Sequence, residues 1–229
     1  MAESKQRPVV YFFASRSTAG SEAFQRASAL APGAEWHLWQ IETPDERTAF
    51  ECREHHPDVI ISFLNPYVVP SRLLDQSHGR AFNIHPALPD HPGRDPQHFA
   101  FYEGATSTGA TLHRMDASVD SGEIIAVLEV PIDRALGVLP FIEQSERSSI
   151  DLLLKTVPAI LGDSVSPATG LAWRPEAKTT RKQFLDMCRI DPDMTADEVA
   201  RRIESFFNPS YRSVYVELHG FRFVYEPDT

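Results

Sequence analysis

One pattern constrains this chain more than any other: short, almost wholly apolar runs alternate with polar stretches of helical spacing. The runs are residues 9–14 (VVYFFA), 58–63 (DVIISF) and 80–84 (RAFNI). A strand with one wet face alternates apolar and polar residues, so a run that is apolar throughout reads as a strand buried on both faces. After the first run, SRSTAGSEAFQRASAL carries Ser/Thr/Gly punctuation and then apolar residues at helical spacing, the mark of a turn and a capped helix. Residues 35–41 are a candidate second strand, and 44–55 a polar helix with proline at its start. The alternation predicts an α/β layer fold with a mostly parallel sheet flanked by helices. Ligands of such sheets bind beyond the carboxyl ends of the strands, so the segments after Phe63 and after Ile84 are expected to form the site.

Further along, residues 109–115 and 123–130 read as two more strands linked by the turn-rich DASVDSG. Residues 146–161 form a helix with Ile150, Leu153, Leu154 and Val157 on one side. The stretch 134–145 carries no motif and reads as a lid or a loop. From Pro167 the character changes. Residues 196–207 are a short amphipathic helix, and 213–218 with 221–225 form a hairpin closed by His219-Gly220. The expected division is 1–165, a catalytic domain, and 166–229, a small C-terminal helix-plus-hairpin module.

Composition narrows the function. With 229 residues, 42% hydrophobic and 24% charged, the chain has room for a real core. A net charge of −10 handicaps any nucleic-acid partner, and 166–229 holds nine Lys/Arg against ten Asp/Glu, so no basic tail compensates. Cys52 and Cys188 lie far apart outside any Cys-x-x-Cys pair, which argues for reduced thiols in the cytoplasm rather than a zinc site or disulfides. MAESKQRP lacks the apolar core of a secretory signal, and VVYFF is too short to span a bilayer. A cytoplasmic location without a membrane partner is expected.

The most informative stretch runs from Phe82 to Ile125. Asn83 and His85 are two apart on a strand end, so their side chains share a face. An amide can donate to a developing oxyanion and an imidazole can take or relay a proton near neutral pH. Asp120, on a Gly/Ser turn, has the chemistry to orient that imidazole or hold a water. No Gly-x-Ser-x-Gly elbow is present, which favours direct attack by a substrate nucleophile over a covalent enzyme intermediate. A His-Pro after a strand is equally the signature of a plain turn, and the chain has nine histidines.

The ordered motifs Asn83-x-His85-Pro86, Leu88-Pro89, Pro92-Gly93, Gly109-Ala-Thr-Leu-His113 and Asp120-Ser-Gly-Glu-Ile-Ile125 resemble the folate-dependent formyltransferase family over roughly residues 55–132. That family includes glycinamide ribonucleotide transformylases, methionyl-tRNA formyltransferases and sugar N-formyltransferases. The resemblance implies a Rossmann-like formyltransferase fold, catalytic roles for Asn83, His85 and Asp120, and 10-formyltetrahydrofolate as co-substrate, with no metal. It further implies a pterin seat formed by Leu64, Pro66, Tyr67 and Val68 with Met115, Asp116 and Val119. His85-Pro86-Ala87-Leu88-Pro89 is one residue shorter than the family's usual His-Pro-Ser-Leu-Leu-Pro, which affects the substrate-side loop.

Three acceptors compete under this resemblance. A tail that is not basic counts against methionyl-tRNA, and the extra helix and hairpin are unlike glycinamide ribonucleotide transformylases. The tail looks like the short C-terminal modules of enzymes that formylate nucleotide-linked amino sugars of bacterial surface polysaccharides, lipopolysaccharide O-antigen among them. A formyltetrahydrofolate hydrolase is the alternative in which water replaces the amine. Arg94, His98, Tyr211 and Arg212 are the expected substrate contacts. Phe206 and Phe207 are read as closing a small core, and residues 15–21 as an ordinary capped turn rather than a phosphate site. His55-His56 are read as capping a helix, and Trp36, Trp39 and Trp173 as packing residues. The hairpin and the helix after residue 146 are candidate faces for a homodimer.

Overall fold

A computed structural model describes residues 7–227. Its main sheet contains β1 (Val9–Ala14), β2 (Glu35–Trp39), β3 (Val59–Phe63), β4 (Ala81–His85), β5 (Ser107–Arg114) and β6 (Ile124–Pro131), in the order β2-β1-β3-β4-β5-β6. The first four are parallel, and β5 and β6 close the sheet antiparallel. The all-apolar runs are buried on both faces, as their composition requires. Along β1, Val10, Phe12 and Ala14 face α1 (Thr18–Leu30) and α5 (Val138–Leu161), while Tyr11 and Phe13 face α2 (Pro44–Glu51) and α3 (Ser71–Gln76). This is the period of two expected of a strand.

α1 and α2 start where the sequence marks them. Ser17 accepts from the Gly20 amide, and Thr43 and Glu46 form a reciprocal capping box ahead of Pro44. α5 departs from expectation. The stretch 134–145 is neither lid nor loop: after a 3₁₀ turn at Arg134–Leu136 it forms the opening turns of one 24-residue helix. Gly137 precedes that helix with φ +86° and no side-chain cap, so the usual start signal is absent. α3 is six residues long, with too little periodicity to show in the sequence.

The second cluster of elements contains α6 (Arg181–Cys188), α7 (Ala196–Phe206) and a small sheet of β7 (Arg189–Ile190), β8 (Tyr215–Leu218) and β9 (Phe221–Val224). Its core, Phe184, Cys188, Phe206 and Val214, includes Phe99 from α4 (Pro96–Tyr102). His219 and Gly220 both have positive φ, the backbone of a two-residue hairpin turn.

On β4 and β5 the two faces diverge. Phe82, Ile84, Ala110 and Leu112 join α5 in the apolar core. Asn83, His85, Thr111 and His113 point the other way, where α2 and α3 no longer cover the sheet. There the cover consists of the turn after β4, the loop before β6, and a strap of residues 168–180 running back from α5. Thr111 donates to the Ala87 carbonyl, and Trp173 lies against His85 and His113.

Candidate functional site

β4 ends at His85, and β5 runs antiparallel beside it with His113 directly opposite Asn83. Directly opposed residues on one face are within reach of each other. The Asn83 amide donates to His113 Nε2 at 3.0 Å, and the same nitrogen lies 3.5 Å from Asp120 Oδ1. His113 Nδ1 is 2.7 Å from the Arg114 carbonyl. A carbonyl only accepts, so Nδ1 carries the proton and Nε2 is left to receive from Asn83. His85 is fixed in the same way: its Nε2 donates to the His91 carbonyl at 2.8 Å, turning Nδ1 toward Asp120 Oδ2 at 3.4 Å.

Asp120 ties the cluster together. One oxygen accepts from the Gly93 amide at 2.9 Å and faces His85; the other lies 3.4 Å from His113 Nε2. Its φ of +47° is unusual for a residue with a side chain, a backbone cost met where the surroundings hold it in place. The Asp120 and His85 side chains are each 3% exposed. Burial raises the Asp120 carboxyl, but the two imidazoles and the Gly93 amide outweigh it and bring it down to about 2. Burial pushes the His85 imidazole below its usual value, and Asp120 and the His91 carbonyl only partly offset this. At neutral pH the site therefore holds an ionised carboxylate beside a neutral imidazole whose proton-accepting nitrogen faces it.

Beside the turn after β4 a cleft of about 620 Å³ opens between the end of α4, β5, β6 and the strap. Asp90, Glu103 and Glu129 face it along with Arg174, and it meets the cluster only at His91.

The other expected site residues divide. Tyr67 and Met115 pack into one apolar cluster with Val69 and Leu73, so the loops after β3 and β5 come together there. Leu64, like Asp120, has a φ of +47°. Pro66, Val68 and Val119 are exposed, and Asp116 holds the Ser118 amide and the Ser121 hydroxyl. Arg94 lies beside Asp95, with its amide on the Thr179 carbonyl. His98 faces no cleft. It is buried between Phe184 and Phe206 and bonds the Ser205 carbonyl at 2.7 Å, which makes it a packing residue joining α4 to α7. Tyr211 is 80% exposed, and Arg212 pairs with Glu226 at 2.9 Å. Phe206 is fully buried and Phe207 packs on Tyr225. His55 lies four residues beyond the end of α2 and caps it: its ring is buried on Phe50, Nε2 bonds the Phe50 carbonyl of the last turn at 2.7 Å, and Tyr11 Oη is 3.2 Å from Nδ1.

Sequence reasoning passed over two residues that touch the cluster. His113 lies within the quoted Thr-Leu-His motif, so a signal was present. Trp173 packs as expected, and what it packs against is the cluster: its ring meets both imidazoles edge-on at centroid distances of 5.0 and 5.5 Å. Among the described residues, no helix is long and apolar enough to cross a membrane, and no group of side chains is arranged to hold a metal ion.

This polar seam at the carboxyl end of β4, within a parallel sheet closed by two antiparallel strands, defines a class. The formyl transferase family signature matches residues 4–139, more than half of the chain, and the chain belongs to that family. A methionyl-tRNA formyltransferase from Bacillus pumilus is 29% identical over 169 residues, covering 72% of this chain and 51% of that protein, so the chain spans about half the length of this curated relative. A sugar N-formyltransferase structure from Shewanella sp. shares the fold with a TM-score of 0.78 at 17% identity, covering 96% of this chain and 97% of that one. The formyltransferase PseJ from Anoxybacillus kamchatkensis, solved with UDP-4,6-dideoxy-4-formamido-L-AltNAc and tetrahydrofolate, has a TM-score of 0.60 at 19% identity, covering 87% and 99%.

Proposed function

We propose that the protein transfers a formyl group from 10-formyltetrahydrofolate to the amino group of a nucleotide-linked amino-deoxy sugar, in the cytoplasm and without a metal. The observation that carries the reading is the buried Asn83–His85–Asp120 cluster, an amide donor beside a neutral imidazole backed by an ionised carboxylate. The folate supplies an activated formyl carbon bound to a nitrogen leaving group. Tyr67 and Met115, in one apolar cluster at the edge of the seam, suit a flat pterin ring, with Leu64, Pro66, Val68, Asp116 and Val119 around it.

Asn83 has a second N–H engaged only by a long 3.5 Å contact, free to turn onto a carbonyl oxygen as negative charge develops there. The His85–Asp120 pair takes the proton of the attacking amine and returns it to the departing nitrogen, Asp120 stabilising the imidazolium in between. The His91 carbonyl holds the ring in the tautomer whose unprotonated Nδ1 is turned toward Asp120.

For the acceptor, support comes from length and charge. The likeness to the Shewanella sugar N-formyltransferase runs through nearly all of both chains, C-terminal module included. A UDP-linked sugar and tetrahydrofolate occupy the PseJ structure. Methionyl-tRNA remains the second reading because of the Bacillus pumilus relative, and the net charge of −10 weighs against it. The test is a thermal-shift screen with a non-reactive formyltetrahydrofolate analogue, alone and with UDP, GDP or dTDP, followed by mass spectrometry of formylated amino-sugar nucleotides. Ligands that bind only the native state raise its melting temperature. Folate stabilisation with one preferred nucleotide is the expected result; folate stabilisation with formylation of methionyl-tRNA alone would replace the sugar.

A further inference from the structure

The strap of residues 168–180 is sewn to both loops that shape the seam. The Ala168 amide reaches the carbonyl of Ile124, the first residue of β6, at 2.8 Å, and on the loop before that strand Lys178 reaches the Val119 carbonyl. On the turn after β4, the Arg174 amide reaches Pro89 at 3.2 Å, Thr179 bonds Pro92 at 3.0 Å, and Arg94 bonds Thr179 at 3.0 Å. Gly93 allows this approach, because a Cβ there would meet the Thr179 carbonyl oxygen at 2.3 Å. Midway along, the Trp173 indole donates to the Gly122 carbonyl at 2.7 Å, which pins the ring against His85 and His113 at interplanar angles of 77° and 88°.

We propose that Trp173 is a positioning residue that walls His85 and His113 off from water, so that the formyl carbon is attacked by an amine rather than hydrolysed. The inference rests on the formyl-transfer reading above. Two nucleophiles compete for one carbon. With the amine, an N–C bond forms, the bond from carbon to the folate nitrogen breaks, and the amine proton passes through His85 to that nitrogen. With water, an O–C bond forms, the same bond breaks, and formate and tetrahydrofolate leave. Closing the site excludes this side reaction and keeps the imidazole desolvated. Among the described residues no helix covers this face of β4 and β5, and the indole lies over the two rings. The charged and titratable groups around His85 are Asp120, His113 and His91; the strap's cations point elsewhere, Arg174 to Glu176 and Lys178 to Val119.

The experiment compares wild type, Trp173→Ala and Trp173→Phe as full chains, each checked for folding by melting temperature. Formate release from 10-formyltetrahydrofolate is measured without an amine, then alongside transfer to the acceptor, and His85 is titrated by NMR. Trp173→Ala is expected to raise the ratio of hydrolysis to transfer about tenfold, a one-decade change in relative rate, and to move the His85 titration upward. Trp173→Phe keeps a ring and restores most of both. An unchanged ratio with an unchanged His85 titration, or equal loss of both reactions in the alanine and phenylalanine variants, would overturn the role. A wild type that neither transfers nor releases formyl would sink the functional reading instead, and the His85 titration would still judge the wall.

Discussion

The two halves of the main sheet are buried to a similar degree and specified by different means. β1 and β3 bury Val10, Phe12, Phe13, Ile60, Ile61 and Phe63 completely, and their neighbours are apolar on both faces. On one face β4 and β5 bury His85, Thr111 and His113 and half-bury Asn83, each tied to a particular atom. In the first half attraction is non-directional and shared over many contacts, so identity matters less than volume. In the second half each polar group depends on a named partner, and losing one leaves another buried and unsatisfied. The first half therefore supplies stability, and the second supplies chemistry at the expense of tolerance.

The sharpest way to break that contrast is to truncate one residue in each half. His85→Ala is expected to lower turnover per folded molecule by about 10²–10⁴-fold, the usual contribution of a general acid–base group, at a stability cost of about 1–3 kcal/mol because the His91 carbonyl and Asp120 lose a partner. Phe12→Ala is expected to cost about 3–5 kcal/mol in denaturant unfolding, while turnover per folded molecule stays near wild type. If Phe12→Ala lowers turnover as steeply as His85→Ala, the two halves are not separable.

His113→Phe probes the seam without touching His85. The ring keeps its volume, but Asn83 loses its acceptor at 3.0 Å, at an expected cost of about 1–3 kcal/mol. Combined with Asn83→Ala, the loss should be less than additive, because both changes remove the same bond. Full additivity would mean that His113 does not act through Asn83.

His113 also marks what was legible beforehand. The all-apolar runs announced the sheet, because burial on both faces leaves a local trace. Asn83 and His85 could be paired by their spacing of two along a strand. That His113 lies opposite Asn83 follows only from the antiparallel register of β5, which no local spacing encodes. Trp173 arrives from a strap distant in sequence. His55 and His98 look polar in the chain and are buried in the fold, where carbonyl partners satisfy them. α6 opens on a Thr180/Gln183 capping box that is readable in the sequence, whereas α5 begins without any such cue.

Acid should sharpen the contrast further. Asp120 titrates at about 2 in the folded protein, against an ordinary value of 3.8. Its contribution is complete above 3.8 and is lost as the pH falls through 2; that depression corresponds to about 2 kcal/mol. His85 adds a loss at higher pH: its folded value is lowered, so below the ordinary histidine range unfolded chains bind a proton that the folded ring refuses. Unfolding of wild type and Asp120→Asn as a function of pH is the measurement. Wild type should lose more stability than the variant between pH about 4 and about 2; parallel curves would mean that the carboxylate is not held by the seam.

The smallest expected effect on stability separates both halves from the C-terminal elements. Tyr211 is 80% exposed on the turn before β8, so Tyr211→Ala should change unfolding free energy by no more than about 0.5 kcal/mol. Any kinetic consequence is then a binding effect and not a folding one. Under the proposed function, the alanine variant raises KM for the acceptor and leaves KM for the folate unchanged. Equal shifts in both would place Tyr211 with Phe206 and His98, as part of the scaffold that fixes α4 and hence the turn carrying His91.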